Sequence, residues 1–144
     1  TANFIFSRIY TVDSANEFSS FHVFEEFDYE IITDGEVRAA LYTQARSNIL
    51  SSDSTTILVN WSDSGDTGGP QIDSINAYLY PADAFSAPAR DMRVSIQNTI
   101  RAFTDALAEN AFIQKKFTLV ALTTQPAAVP VPALRASGRR GPAG

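Results

Sequence analysis

Three groups of residues in this chain have the types and spacing to do chemistry. Arg38, Tyr42 and Arg46 recur every four residues, which on a helix aligns two guanidinium groups and a ring in one row. Arg90, Arg93, Gln97 and Arg101 follow at spacings of three, four and four and make a second row, of cations and an amide. Such rows grip phosphates while an interleaved ring stacks a base; the alternative is that Arg38 and Arg46 pair with the acids around them. The third group is a run of carboxylates, Glu25, Glu26, Asp28, Glu30, Asp34 and Glu36. It could hold a divalent ion or pair carboxylates for acid/base work, but a solvated face or subunit contact is the simpler reading. His22, flanked by Phe21 and Val23, reads as a partly buried core histidine rather than a ligand or base.

The run Gly65-Asp66-Thr67-Gly68-Gly69-Pro70 resembles the GDSGGP nucleophile motif of chymotrypsin-like proteases, with Thr in place of Ser. That chemistry needs a histidine oriented by a buried aspartate and an oxyanion hole held between two barrels, which 144 residues cannot build. The ligand spacing of a calcium loop is absent as well, so the segment reads as a turn-rich connector. With no cysteine and one histidine, thiolate sites, disulfides and most metal clusters are excluded. The expectation is a protein that is not an enzyme and carries no cofactor.

Positioning these rows requires elements. Ser14-Ala15-Asn16-Glu17 and Thr33-Asp34-Gly35-Glu36 both have the S/T-x-x-E form of a capping box that opens a helix. After the first, Phe18, Phe21, Phe24 and Phe27 form a stripe that reads as core. After the second, Val37, Leu41, Ala45 and Ile49 give one apolar face and predict a helix to about Leu50. Met92, Ile96, Ile100, Phe103 and Leu107, at spacings of 4, 4, 3 and 4, predict another helix from Ala89 to about Asn110. Phe4 to Tyr10 reads as an extended segment. Thr55 to Trp61 and Ile72 to Tyr80 read as two strands that pair in a small ribbon, and Ala82 to Ala87 as a turn or two of helix. The expected fold is mainly α, with a small antiparallel β ribbon and extended termini. Residues 1–124 form the single globular domain, and 125–144, rich in Pro, Ala and Arg, a tail in which Arg135, Arg139 and Arg140 could touch RNA or a neighbour.

The net charge of −5 argues against an anionic partner until it is resolved along the chain. Residues 1–88 hold 13 acids and 3 bases, residues 89–144 hold 3 acids and 8 bases. Such asymmetry suggests an anionic partner for the basic half or complementary contacts between identical subunits. No apolar run approaches the length that crosses a bilayer, so no membrane partner is expected, and no signal peptide is visible.

Several stretches resemble the coat proteins of rod-shaped plant RNA viruses of the tobamovirus type. Leu41-Tyr42-Thr43-Gln44-Ala45-Arg46 is similar to the family's F-Q-T-Q-x-A-R stretch, and Asn60-Trp61-Ser62-Asp63-Ser64 to its R-F-P-D-S turn. Ile75-Asn76-Ala77-Tyr78-Leu79-Tyr80-Pro81 resembles the Y-N-A-V-L-D-P segment, and Arg90 to Ile100 the R-x-D-D-A-T-x-A-I-R-S-x-I helix. Lys116-Phe117 stands where the family has R-x-x-F-E. The chain departs from the pattern at Ser62, at Thr118 and in the short stretch from Pro81 to Ala89. The resemblance implies a wedge-shaped structural subunit with a four-helix-bundle-like core and a small sheet, which self-assembles into a helical rod around single-stranded RNA, in virions and in the host cytoplasm. It implies RNA contacts from Arg38, Arg46, Arg90, Asp91, Arg93, Val94, Gln97, Asn98 and Arg101. The runner-up is a phage tail or connector-type assembly protein that holds no nucleic acid.

Overall fold

The computed structural model describes residues 1–105 and 110–127. Strand accounts for 72% of them and helix for 3%. The elements are β1 (Ala2–Thr11), β2 (Asn16–Ile32), β3 (Glu36–Ser47), β4 (Ser54–Ser64), β5 (Gln71–Leu79), the four-residue helix α1 (Pro81–Ala84), β6 (Asp91–Phe103) and β7 (Asn110–Pro126). They form two antiparallel sheets, one in the order β1-β6-β3-β4 and the other β5-β2-β7. The expected four-helix core is therefore replaced by a β-sandwich, closed by inward side chains of both sheets.

The reason lies in alternation. Along β3, Val37, Ala39, Leu41, Thr43, Ala45 and Ser47 are buried and the residues between them are not. Along β6, Met92, Val94, Ile96, Asn98 and Ile100 are buried in the same way. A period of two is the signature of a strand with one face on a core. Neither capping box opens a helix. At the first, Asp13 Oδ1 accepts the Ala15 N–H at 3.0 Å and the Asn16 amide at 3.0 Å, an Asx turn between β1 and β2. At the second, the chain turns from one sheet into the other through Thr33 (φ 76) and Gly35 (φ 143). A Cβ on Gly35 would lie 3.1 Å from the Phe103 carbonyl, so glycine fits here on both counts.

Phe18, Phe21 and Phe27 of the aromatic stripe are core, whereas Phe24 lies on the outer face against Phe117, ring centroids 5.8 Å apart. Phe27, Tyr29 and Trp61 pack edge-on between the sheets, with Phe27 to Trp61 at 4.6 Å. The extended opening segment is β1 as expected, and α1 is the short helix expected near Ala82. β4 and β5 are strands, but they belong to different sheets and do not form a ribbon. The connector between them latches onto β2: the Thr67 N–H donates to the Ile31 carbonyl at 3.0 Å, and Thr67 Oγ1 accepts the Ile31 N–H at 3.1 Å. Asp53 ties the β3–β4 loop to the segment after α1, accepting Ser86 N–H at 3.0 Å and Ala87 N–H at 2.8 Å. Residues 125 and 126, assigned to the tail from sequence, complete β7, and Arg135, Arg139 and Arg140 lie outside the described residues.

Candidate nucleic-acid interface

Because β3 and β6 are neighbours, their register decides which arginines meet. Arg38 stands opposite Arg101, Tyr42 opposite Gln97, and Arg46 opposite Arg93. All six project from the outer face of the four-stranded sheet. Like charges directly opposite one another on a sheet are unfavourable, and this face repeats the arrangement twice. The two arginine pairs are eight residues apart along each strand, roughly 26 Å at the rise of an extended chain.

The partners of these arginines leave most of their charge undischarged. Arg38 pairs with Glu36, which holds its guanidinium above its ordinary pKa, and both Arg38 and Arg101 lie over the Phe103 ring, at 5.0 and 5.4 Å. Arg93 reaches Ser7 Oγ at 3.4 Å, and no partner of Arg46 is found among the described residues. Between the pairs, Tyr42 is 39% exposed. Beside Arg38 and Arg101 the face is hollowed at the small side chain of Ala40, leaving an open concavity of about 430 Å³ also lined by Asn60, Ser62 and Thr99. Two guanidinium groups, the Ser62 hydroxyl and the Asn60 amide around one hollow are donors suited to a phosphate; Glu36 also lines it, paired with Arg38, and the Thr99 hydroxyl already donates to Asn3 Oδ1 at 2.7 Å. Asn60, Ser62 and Thr99 were missed from sequence; the alternation of Leu58, Asn60 and Ser62 along β4 is the signal that carries the first two, and that of Gln97, Thr99 and Arg101 along β6 the third.

Three of the residues implied by the coat-protein resemblance, Val94, Asn98 and Arg90, lie elsewhere. Val94 and Asn98 point into the core, fully buried, so neither can face a base. Asn98 donates to the Ala40 carbonyl at 3.2 Å from beneath the face. Arg90 precedes β6 at the corner with β1 and β2, where its Nε is buried, and its backbone carbonyl accepts the Val12 N–H at 2.9 Å. Asp91 opens β6 on the same outer side as Arg93, two residues before it, where its carboxylate accepts the Asn48 amide at 2.8 Å. An odd spacing separates Arg90 from Arg93, which on a strand puts them on opposite faces.

The acid run divides by the same rule. Glu26, Asp28 and Glu30 lie on the outer face of the three-stranded sheet, with Lys116 at 3.4 Å from Glu26 and 3.6 Å from Asp28. Glu25 faces inward, fully buried, 3.5 Å from Lys115 and 3.3 Å from Thr118 Oγ1. Burial pushes its carboxyl above the usual range, and Lys115 and Thr118 pull the other way. Burial and the hydrogen bond to Asp63 push the Tyr29 hydroxyl up to about 12. Among the described residues no group of three or more His, Asp or Glu is placed to hold a metal ion. His22 is on the outer face rather than in the core, stacked on Tyr78 at 4.2 Å, with Nε2 2.8 Å from Asn76 Oδ1. Among the described residues no helix is long and apolar enough to cross a membrane.

The charge division is thus between sheets. Strands of the four-stranded sheet carry five arginines and three acids; those of the three-stranded sheet carry six acids and two lysines. Fold and face together define an antiparallel β-sandwich with one basic, polar outer face. No protein-family model, no curated protein and no solved structure matches the chain.

Proposed function

We propose that this chain is the subunit of a self-assembling coat that lays single-stranded RNA across the outer face of its four-stranded sheet. The observation that carries the reading is the doubled arginine pairing, Arg38 with Arg101 and Arg46 with Arg93, on a face where the acids Glu36 and Asp91 are already engaged. An anion between each pair converts a repulsive arrangement into an attractive one. Tyr42 and Gln97 between the pairs supply a stacking ring and an amide, in keeping with sheets that bind single strands through exposed aromatic residues. Contacts to phosphate and ring faces select no sequence, as a coat requires. The rod geometry implied by the resemblance depended on helices that are strands here. The reading therefore keeps RNA packaging in a virion and drops the helical-bundle subunit.

One observation favours the runner-up, an assembly protein without nucleic acid. The outer face of the three-stranded sheet presents Glu26, Asp28 and Glu30, so it is complementary to the arginine face of another copy. Electron microscopy of the purified protein with and without RNA separates the two. Particles that form only with RNA, and that protect it from nuclease, support the coat. Empty rings or tubes with no salt-dependent RNA binding overturn it.

A further inference from the structure

Two sheets of this kind have four edge strands, β1 and β4 in one and β5 and β7 in the other. An open edge displays unpaired N–H and C=O groups and templates another strand unless lysines, prolines, bulges or charges guard it. β7 is guarded by Lys115 and Lys116, by a register shift opposite Glu26 and Phe27, and by its closing Pro126. β4 and β5 carry Asp63 and Asp73, and Asp73 accepts the Trp61 indole N–H at 3.0 Å, holding the two edges together.

β1 has one of these devices at most, a single charge. Its register on β6 runs unbroken from Ala2 to Thr11, and it contains no proline, lysine or acid. It is apolar on both faces: Ile5 and Ile9 are 76% and 49% exposed on the outer side, Phe4 and Phe6 are 41% and 43% exposed on the inner. Its one charge is Arg8.

We infer that β1 is the contact between copies: it pairs antiparallel with β1 of a second copy about a two-fold axis at Ser7, joining two four-stranded sheets into one. The inference rests on the self-assembly in the proposed function and names the surface that performs it. The axis at Ser7 sets Ile5 against Ile9 of the second copy, Phe6 against Arg8 and Phe4 against Tyr10. No like charges meet, and the lone guanidinium lies beside an aromatic ring. An interface of this symmetry is self-complementary, as a contact between identical subunits must be. It also makes the two arginine faces continuous, so one RNA strand can cross the junction and bind both copies.

The test is the oligomeric state of the full chain by sedimentation, for wild type and for Ile5→Lys/Ile9→Lys, with circular dichroism to check the fold. Wild type is expected to associate with rising concentration and the variant to stay monomeric. A second measurement does not depend on the variant folding. The chain has no cysteine, so Ser7→Cys is expected to give a disulfide-linked dimer under mild oxidation, and Ser62→Cys, on the outer face of β4, is not. Association undiminished by the lysines, or equal cross-linking from both cysteines, overturns the β1 contact and leaves the RNA coat standing. A wild type that never associates, with or without RNA, overturns both. RNA binding that fails in a protein that still dimerises through β1 removes the coat and keeps the contact.

Discussion

Replacing Arg46 and Arg93 together by glutamine removes one of the two cross-strand arginine pairs without touching the other. Arg46 has no partner among the described residues and Arg93 only the Ser7 hydroxyl, so the fold loses almost nothing. If each outward guanidinium of Arg38, Arg46, Arg93 and Arg101 meets one phosphate, log K for a single strand falls with log salt at a slope of about −3. Between 50 and 200 mM salt that is a loss of about 50-fold in affinity. The double variant keeps two contacts, so its slope falls to about −1.4 and the same change of salt costs only about 7-fold. Fluorescence anisotropy of a labelled oligouridine across that salt range reads both slopes. Thermal unfolding should show the variant at least as stable as wild type, because a like-charge pair has gone. A variant with the wild-type slope, or a wild type with no slope, refutes the assignment of this face to RNA.

Three further outcomes follow from the interior. Glu25 is held protonated more readily in the fold than in the open chain, so its contribution is complete below its ordinary value of 4.5 and is lost as pH rises through the raised one. Calorimetry should therefore find wild type losing stability on that side of the scale, and Glu25→Gln flattening the profile. The Asp53 carboxyl is held below its ordinary 3.8 by the Ala87 and Ser86 N–H groups, so its contribution is present above 3.8 and disappears as pH falls through the lowered value. Asp53→Asn should lower the Tm at neutral pH and converge on wild type in acid. Phe27→Ala should cost about 3–5 kcal/mol in urea unfolding, since a fully buried ring between Tyr29 and Trp61 leaves a cavity.

A spacing of four is even, and that explains both what the sequence disclosed and what it concealed. Residues four apart share a face on a helix and on a strand alike, so Val37, Leu41 and Ala45 are buried together in either element. The deciding residues stand between them. Ala39 and Thr43 in β3, and Val94 and Asn98 in β6, are buried too, which no helix face would allow. Ala39, Thr43 and Asn98 are small or polar, and so they do not register as core in an apolar pattern. For the same reason Arg38, Tyr42 and Arg46 keep company on one face, as do Arg93, Gln97 and Arg101, despite the wrong element. Their meeting across β3 and β6 depends on a pairing that brings Arg38 to Arg101, and no local pattern encodes it. The buried Glu25 was equally hidden, since a carboxylate within an acid run reads as solvated.

The pairings of β1 with β6 and β2 with β7 set the order in which the chain can become itself on the ribosome. β3 finds β4 at once through a short loop, but β2 is made almost a hundred residues before its partner β7, on the order of ten seconds at ordinary rates of synthesis. Through that interval β2 has β5 but not β7 beside it, and β1 waits for β6 with Phe4, Ile5 and Phe6 uncovered. The strand with the least guarded edge is thus also made long before its partner. If β1 is the contact between copies, nascent chains on a crowded message would meet through it before either sheet is complete, and the yield of folded protein should depend on how densely ribosomes load the message.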